Sequence, residues 1–219
     1  MLPNPAEQQL LDGEGRNRTA EALEFADRIG LTRVAPDRCS ILLAVQLLDT
    51  ATAGWLDPIR VIHQIEALEG ARVTTMKSAT AFRGAHLSGL WHQHFLPNGV
   101  AAIARNVRNA LSHYGIPSAV KRVREAQAAG EDRVFDHDDI ARFTNEVVYE
   151  NLDRREGEAK MTGEWLIFVP HDGRNYYLAI ANHTDGAAGD EALRRQIDLV
   201  CVREFPFLRE LLAHGGDAG

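Results

Sequence analysis

Apolar residues recur at helical spacing over much of the first 150 positions of the chain. This spacing predicts a helix over 18–29, which Gly30 ends. The run 41–48 is almost continuously apolar, which is typical of a buried core helix, and Asp37 is predicted to cap it. A further helix is predicted over 59–68. The amino-terminal part of the chain is therefore expected to form a helical body.

The middle of the chain continues this helical pattern. In 87–95 the apolar positions follow i, i+3, i+4 and i+8, which favours one or two helical turns. Helices are also predicted over 100–114, 118–129 and 136–151, and the charged stretch 150–158 is predicted to be a linker. The clearest amphipathic pattern is that of 100–114, whose apolar stripe consists of Val100, Ile103, Val107, Leu111 and Tyr114.

Strand-like patterning marks the carboxy-terminal part. Segments 164–169 and 176–180 flank Asp172-Gly173, a dipeptide typical of a two-residue hairpin turn. Both faces of this hairpin are apolar, so each should be covered by another part of the protein. A short strand is also predicted over 71–77. The predicted fold class is α+β and predominantly α-helical, with a helical amino-terminal body and a β-hairpin, or small antiparallel sheet, followed by helices.

The same patterns suggest how the chain is organised. Residues 1–15 and 215–219 are predicted to be flexible tails. Between them, 16–156 is predicted to be a mainly helical region and 157–214 to contain the hairpin and the last helices. We expect these two regions to pack together as one domain, because 219 residues suffice for one sizeable core.

Composition narrows the setting in which the protein acts. Cys39 and Cys201 are the only cysteines, and both lie beside apolar segments, which predicts buried thiols in a reducing compartment. No signal peptide and no membrane-spanning stretch are predicted, so we expect a soluble, cytoplasmic protein without a membrane partner. The net charge of −7 argues against a broad surface that coats nucleic acid, although a local basic patch is compatible with it.

Nine histidines are a large share for this length, and His92 and His94 form an H-x-H pair. In the helix predicted there, residues two apart point roughly 200° away from each other, which disfavours a shared metal. His94 is then expected on the apolar side, as a structural histidine or as a lone catalytic one tuned by burial. The acidic run 136–139 is interpreted as a helix cap. We therefore predict no metal site and no cofactor.

Two further histidines lie near the hairpin. His171 is predicted to face Arg174 beside the turn, whereas His183 follows the far end of the second strand, so the two cannot share a ligand. Loops just beyond strands commonly carry active-site residues. His183 is therefore a candidate functional residue.

The stretch Arg108-Asn109-Ala110-Leu111-Ser112-His113 resembles the R-N-x-x-x-H motif of the HEPN ribonuclease superfamily. The resemblance covers six residues. It implies that Arg108 and His113 act on RNA phosphodiesters, usually at a dimer cleft, in an all-helical fold. The predicted hairpin departs from that fold, and the same residues also suit a solvated polar helix face, so both interpretations stay open.

Metal-free cleavage of RNA through the 2′-hydroxyl needs a base, an acid and a cation. Lys77, His94, Arg105 and His183 supply these residue types, in addition to Arg108 and His113. The leading hypothesis is a toxin- or defence-like protein of bacterial type that cleaves RNA without a metal.

Two other functions stay open. One is a non-enzymatic module that binds a protein partner or forms homo-oligomers through the apolar hairpin and the segment 205–207. The other is a metal-dependent hydrolase that uses His92, His94 and nearby carboxylates.

Overall fold

The computed structural model describes residues 11, 13–98, 100–130, 137–161, 163–182 and 186–213. The predicted tail 215–219 and most of the predicted tail 1–15 lie outside these residues. Within them the fold is α+β and predominantly helical, as predicted. The elements are α1 (Thr19–Arg28), α2 (Leu31–Val34), α3 (Ile41–Thr52), α4 (Ile59–Leu68), β1 (Thr80–Ala81), β2 (Trp91–Phe95), α5 (Val100–Tyr114), α6 (Pro117–Ala129), α7 (His137–Thr144), a π-helical segment (Asn145–Glu150), α8 (Asn151–Gly157), β3 (Glu164–His171), β4 (Arg174–Ala181), α9 (Ala187–Glu204) and α10 (Leu208–Ala213).

The strands form an antiparallel sheet in the order β1-β2-β3-β4. The predicted hairpin is confirmed as β3 and β4, with His171 opposite Arg174 beside the turn. Asp172 and Gly173 have φ values of 48° and 72°. Two positive φ angles are what a type I′ hairpin turn requires, which explains the choice of Asp-Gly at this point.

The prediction of a helix over 87–95 is wrong, because the second half of this segment is strand β2. Its backbone pairs with β3, placing His92 opposite Ile167 and His94 opposite Trp165. Pairing with a distant strand outweighs the local helical spacing. The strand predicted over 71–77 is also absent: within that segment Met76 makes only an isolated bridge to Met161, and β1 begins at Thr80.

The sheet is the middle layer of the protein, and both of its faces are covered. Phe95, Leu166 and Phe168 belong to one core, which they share with α1, α3 and α4. Ile167 and Leu178 belong to a second core, which α9, α10 and the loop before β2 complete. This arrangement confirms that the hairpin is apolar on both sides because both sides are buried.

The helices between β2 and β3 differ from their predictions in two respects. The buried line of α5 runs through Asn106 and Ala110, which are fully buried, whereas Ile103 of the predicted stripe is 48% exposed. The linker predicted over 150–158 is wrong, because helix continues from α7 through the π-helical segment to Gly157. The charged residues of 150–158 therefore do not interrupt the helix.

Helix α3 begins where three parts of the fold meet. Ser40, rather than the predicted Asp37, caps it by accepting a hydrogen bond from the amide of Leu43 at 3.0 Å. The Ser40 hydroxyl also donates to the carbonyl of Leu178 in β4 at 2.5 Å. The carboxylate of Glu204, from the end of α9, accepts from the amide of Ile41 at 2.9 Å. Burial raises the pKa of Glu204 to about 7, and this hydrogen bond opposes the rise.

We predict that Glu204 makes the stability of the protein depend on pH. A carboxyl whose folded-state pKa lies above its unfolded value stabilises the fold most below pH 4.5, and that contribution is lost as the pH rises through 7. The loss is of the order of 2 to 3 kcal/mol, at about 1.4 kcal/mol per pKa unit. Glu204→Gln keeps an acceptor for the amide of Ile41 but carries no charge, so it should lack this loss.

The measurement is the free energy of urea unfolding at pH 4.5, 6 and 8. The control is Glu156→Gln, which alters an exposed carboxylate and should follow the wild-type profile. Parallel profiles for Glu204→Gln and the wild type would contradict the prediction.

Candidate functional site: the groove between α6 and α7

A groove with a volume of about 780 Å³ lies between α6 and α7. Apolar residues of α6 recur on this side at helical spacing, and α7 contributes Phe143. Several remain open to solvent: Val120 is 42% exposed, Val123 53% and Phe143 38%. Ile140, also on α7, is 49% exposed. The two helices thus present an uncovered apolar surface.

Both helices contribute little to the core of this protein. Ala119 is the one buried residue of α6, and none is buried in α7. A helix of 13 residues is marginal in water when its apolar face is not packed against something. The apolar face of α6 is therefore a contact surface that the described residues leave largely exposed.

Glu146, in the π-helical segment, attaches α6 to the rest of the fold. Its carboxylate accepts hydrogen bonds from the amides of Ser118 at 2.6 Å and Ala119 at 2.7 Å. These amides lie at the start of α6, where backbone donors have no partner within the helix and the helix dipole favours a negative charge. Pro117 occupies the first position and has no amide to satisfy. Glu146 is only 1% exposed.

A second polar contact fixes the turn that precedes α6. Asn151 is fully buried in α8, and its side-chain amide donates to the carbonyl of Gly115 at 3.1 Å. Gly115 has a φ of 65°, a left-handed conformation that glycine adopts without strain. The position of α6 is thus defined at its amino-terminal end, and its length projects away from this anchor.

Positive charge is concentrated on α5 and α6. Residues 100–129 include five arginines and lysines and one acidic residue, whereas the whole chain has a net charge of −7. The groove is lined by two acidic residues, Glu125, which pairs with Lys121 at 3.8 Å, and Asp139, and by three arginines, Arg122, Arg124 and Arg142. Across the described parts of the chain, none of the three arginines has a carboxylate within ion-pair distance. The apolar surface is therefore bordered by guanidinium groups that are available to a partner.

The histidine pair lies on one face of the sheet, which corrects the prediction that His92 points away from His94. Because β2 is a strand, residues two apart share a face, and the ring centroids are 5.2 Å apart. His94 is 5% exposed, and its Nδ1 lies 2.9 Å from the carbonyl oxygen of Gly163. This environment is that of a packed histidine within the fold.

Arg105 and Lys77 are held in different surroundings from His94. Arg105 pairs with the buried Glu164 at 3.3 Å. Glu164 is the next residue after Gly163, whose carbonyl oxygen contacts His94. Consecutive strand residues point to opposite faces, however, so Glu164 lies on the other side of the sheet from His94. Lys77 is exposed, and its backbone contacts Met161 and Gln93.

Arg108 and His113 of the HEPN-like motif are exposed on α5, but they do not share one side of it. Arg108 and His113 are five residues apart, which places them roughly 140° around the helix axis. His183 lies outside the described residues. The structure therefore does not gather the described candidates, His94, Lys77, Arg105, Arg108 and His113, into one cleft.

His113 has polar neighbours that sequence reasoning missed. It packs edge-on against the ring of Tyr114 at 4.7 Å. Oε2 of Glu158 accepts hydrogen bonds from the Tyr114 hydroxyl at 2.5 Å and from Nζ of Lys160 at 2.6 Å. These hydrogen bonds lower the pKa of Glu158, that from Lys160 most, and Glu158 in turn raises the pKa of Lys160. Because 44 residues separate Tyr114 from Glu158, no local sequence motif predicts this cluster.

Metal ligands are not assembled in the described residues. No group of three or more His, Cys, Asp or Glu side chains there is placed to hold a metal ion. Asp138 and Asp139 lie in the first turn of α7, in agreement with their interpretation as helix-terminal residues, while Asp136 is outside the described residues. Cys39 and Cys201 are buried, and burial raises the pKa of Cys39 to about 12.

None of the described helices is long and apolar enough to cross a membrane. No protein-family model matches the sequence, and no curated protein or solved structure matches it either.

We predict that Glu146→Gln loosens α6. The substitution keeps one acceptor oxygen, but it places an amide group against a backbone donor and removes the charge that favours the helix start. We expect a loss of about 1 to 3 kcal/mol in local stability. Hydrogen exchange should become faster over 117–129 and remain unchanged in β3 and β4.

The matched control is Glu150→Gln. Glu150 lies one turn further along and contacts Asn145 and Arg154 of its own helix. Equal exchange over 117–129 in both variants would show that Glu146 does not anchor α6.

Proposed function

We propose that this protein is an interaction module, and that the groove between α6 and α7 binds an amphipathic helix of a partner protein. The observation that carries the proposal is the set of exposed apolar side chains that line this groove, Val120, Val123 and Phe143. Exposed apolar clusters rimmed by polar residues are typical of protein-binding surfaces. The hairpin, which the sequence suggested as an interaction surface, is buried on both faces and does not compete for this role.

A helix suits this groove better than other protein elements. Its walls are two helices, and a third helix can place its own side chains between theirs by ridges-into-grooves packing. Peptide helices that dock in this way anchor apolar residues at i, i+3, i+4 and i+7. Helix α6 has 13 residues and spans about 20 Å, so the matching partner segment is three to four turns long.

Nucleic acid suits the apolar surface less well. Single-stranded bases stack on aromatic rings, and the floor of the groove is formed largely by the aliphatic residues Val120 and Val123. Among the described residues that line it, Phe143 is the one aromatic residue.

We predict that Val120→Asp/Val123→Asp abolishes docking. The probe is a fluorescein-labelled 16-residue peptide that is helical, carries leucines at i, i+3, i+4 and i+7, and has glutamine on its other face. Fluorescence anisotropy should show binding to the wild type and at least a tenfold weaker affinity for the double variant, because charge in the floor prevents apolar contact.

The control is Val73→Asp. Val73 is 91% exposed and lies far from either helix in sequence. The Val73→Asp variant should therefore bind the peptide as the wild type does. Absence of binding by the wild type, or equal binding by the double variant, would refute the docking proposal.

The second candidate is metal-independent cleavage of RNA by a toxin- or defence-like protein, and the cluster around His113 favours it. Such cleavage requires a base, an acid and a cation close to the phosphodiester. His113, Tyr114 and Lys160 are groups of these kinds around one carboxylate, that of Glu158. Arg108 and His94 do not belong to this cluster.

If the cluster is catalytic, His113→Ala and Tyr114→Phe should each slow RNA cleavage at least 100-fold, in the range general acid–base groups supply. The measurement is degradation of total RNA by purified protein in EDTA. His137→Ala, His94→Ala, His183→Ala and Arg108→Ala are compared beside them, and the exposed His137 should have no effect. No cleavage by the wild type, or equal cleavage by all variants, would eliminate this activity.

A further inference from the structure

Positively charged side chains border the apolar part of the groove. Arg122 and Arg124 lie on α6, and Arg142 lies on α7, so guanidinium groups line both walls. Elsewhere in the chain arginines pair closely with carboxylates: Arg38 is 2.7 Å from Glu69, and Arg194 is 2.9 Å from Asp198. The arginines of the groove make no such pairs with described residues.

Arginine is well suited to an interface of this kind. Its planar guanidinium binds a carboxylate through two parallel hydrogen bonds, and its stem packs against apolar surface. Arginine is also enriched among the residues that dominate binding energy at protein interfaces. Three such groups outnumber the two carboxylates of the groove, Glu125 and Asp139, so the lining complements a ligand with an apolar stripe flanked by carboxylates.

A second copy of the groove does not have this chemistry. In a twofold interface both copies present the same patch, so six guanidinium groups would share the contact with the four carboxylates of Glu125 and Asp139, and Glu125 already pairs with Lys121. Juxtaposed like charges disfavour such a contact. The local charge of 100–129 therefore opposes self-association through α6 and α7, even though the chain as a whole is acidic.

We infer that the groove is selective for an acidic amphipathic helix from a different protein, with glutamate or aspartate on both sides of its apolar stripe. The inference rests on the proposed docking function and adds the chemistry of the partner. Apolar contact with Val120 and Val123 supplies affinity, while the arginines determine which helix is accepted.

The test compares three peptides that have the same leucine stripe and carry glutamate, glutamine or lysine on their polar faces. The glutamate peptide should bind at least tenfold more tightly than the glutamine peptide, and the lysine peptide should bind most weakly. Because these charges are exposed, the advantage of glutamate should shrink between 50 and 500 mM salt, concentrations that bring the Debye length from about 14 Å to about 4 Å.

Charge reversal supplies the matched variants. Arg122→Glu/Arg142→Glu should invert the order, so that the lysine peptide binds most tightly. Arg174→Glu reverses an exposed charge at the hairpin turn and should leave the order unchanged. Arg142 and Arg174 are exposed and Arg122 is half-buried, and unchanged thermal unfolding will show that the variants fold.

Each other result has a distinct meaning. Equal affinity for the three peptides, unaltered by charge reversal, would overturn the acidic partner and leave docking itself intact. No peptide binding at all would remove the proposed function with it. A dimer in sedimentation that Val123→Asp dissociates would assign the groove to a second copy. Binding of a 16-nucleotide uridine RNA that Arg122→Glu/Arg142→Glu abolishes, with no binding of the glutamate peptide, would assign it to nucleic acid.

Discussion

The buried carboxylate of Glu146 is the constraint on which the exposed part of this structure depends. It holds two backbone amides at the start of α6, and Ala119 is the one buried residue that this helix supplies. A helix fixed at one end by hydrogen bonds, and covered along its side by little else, keeps its apolar face available. The groove thus lies where α6 has few packing contacts with the rest of the fold.

The location of Glu146 within a π-helical segment is consistent with this role. Such segments are uncommon, and they occur frequently at functional sites. The segment lies between α7 and α8, so it joins one wall of the groove to the helix that packs against α5. The π-helical segment therefore contains Glu146, which anchors α6, and it is continuous with α7. The relative placement of the two walls depends on it.

The sheet and the helices that pack on it are joined by contacts within the fold. The sheet is covered on both faces, and Ser40, Glu204 and Leu178 join α3, α9 and β4 through buried hydrogen bonds. The hydroxyl of Tyr177 donates to Glu69, which also binds Arg38, and this closes the edge of β4. Polar groups that looked catalytic along the sequence, such as His94, are part of this internal structure.

The local sequence pattern by itself determined the helical character of the chain, the hairpin at Asp172-Gly173 and the two-sided burial of its strands. These features depend on the spacing of apolar residues and on the residues at the turn, which are properties of neighbouring positions. Tertiary structure decided the rest. Whether 91–95 became helix or strand depended on pairing with β3, 70 residues away. The cluster at Glu158 and the anchor at Glu146 join helices that are distant along the chain. The open face of α6 could not be read from its pattern, because an apolar stripe indicates only that a partner is needed. The packed structure shows that Val120 and Val123 stay exposed beside the described residues.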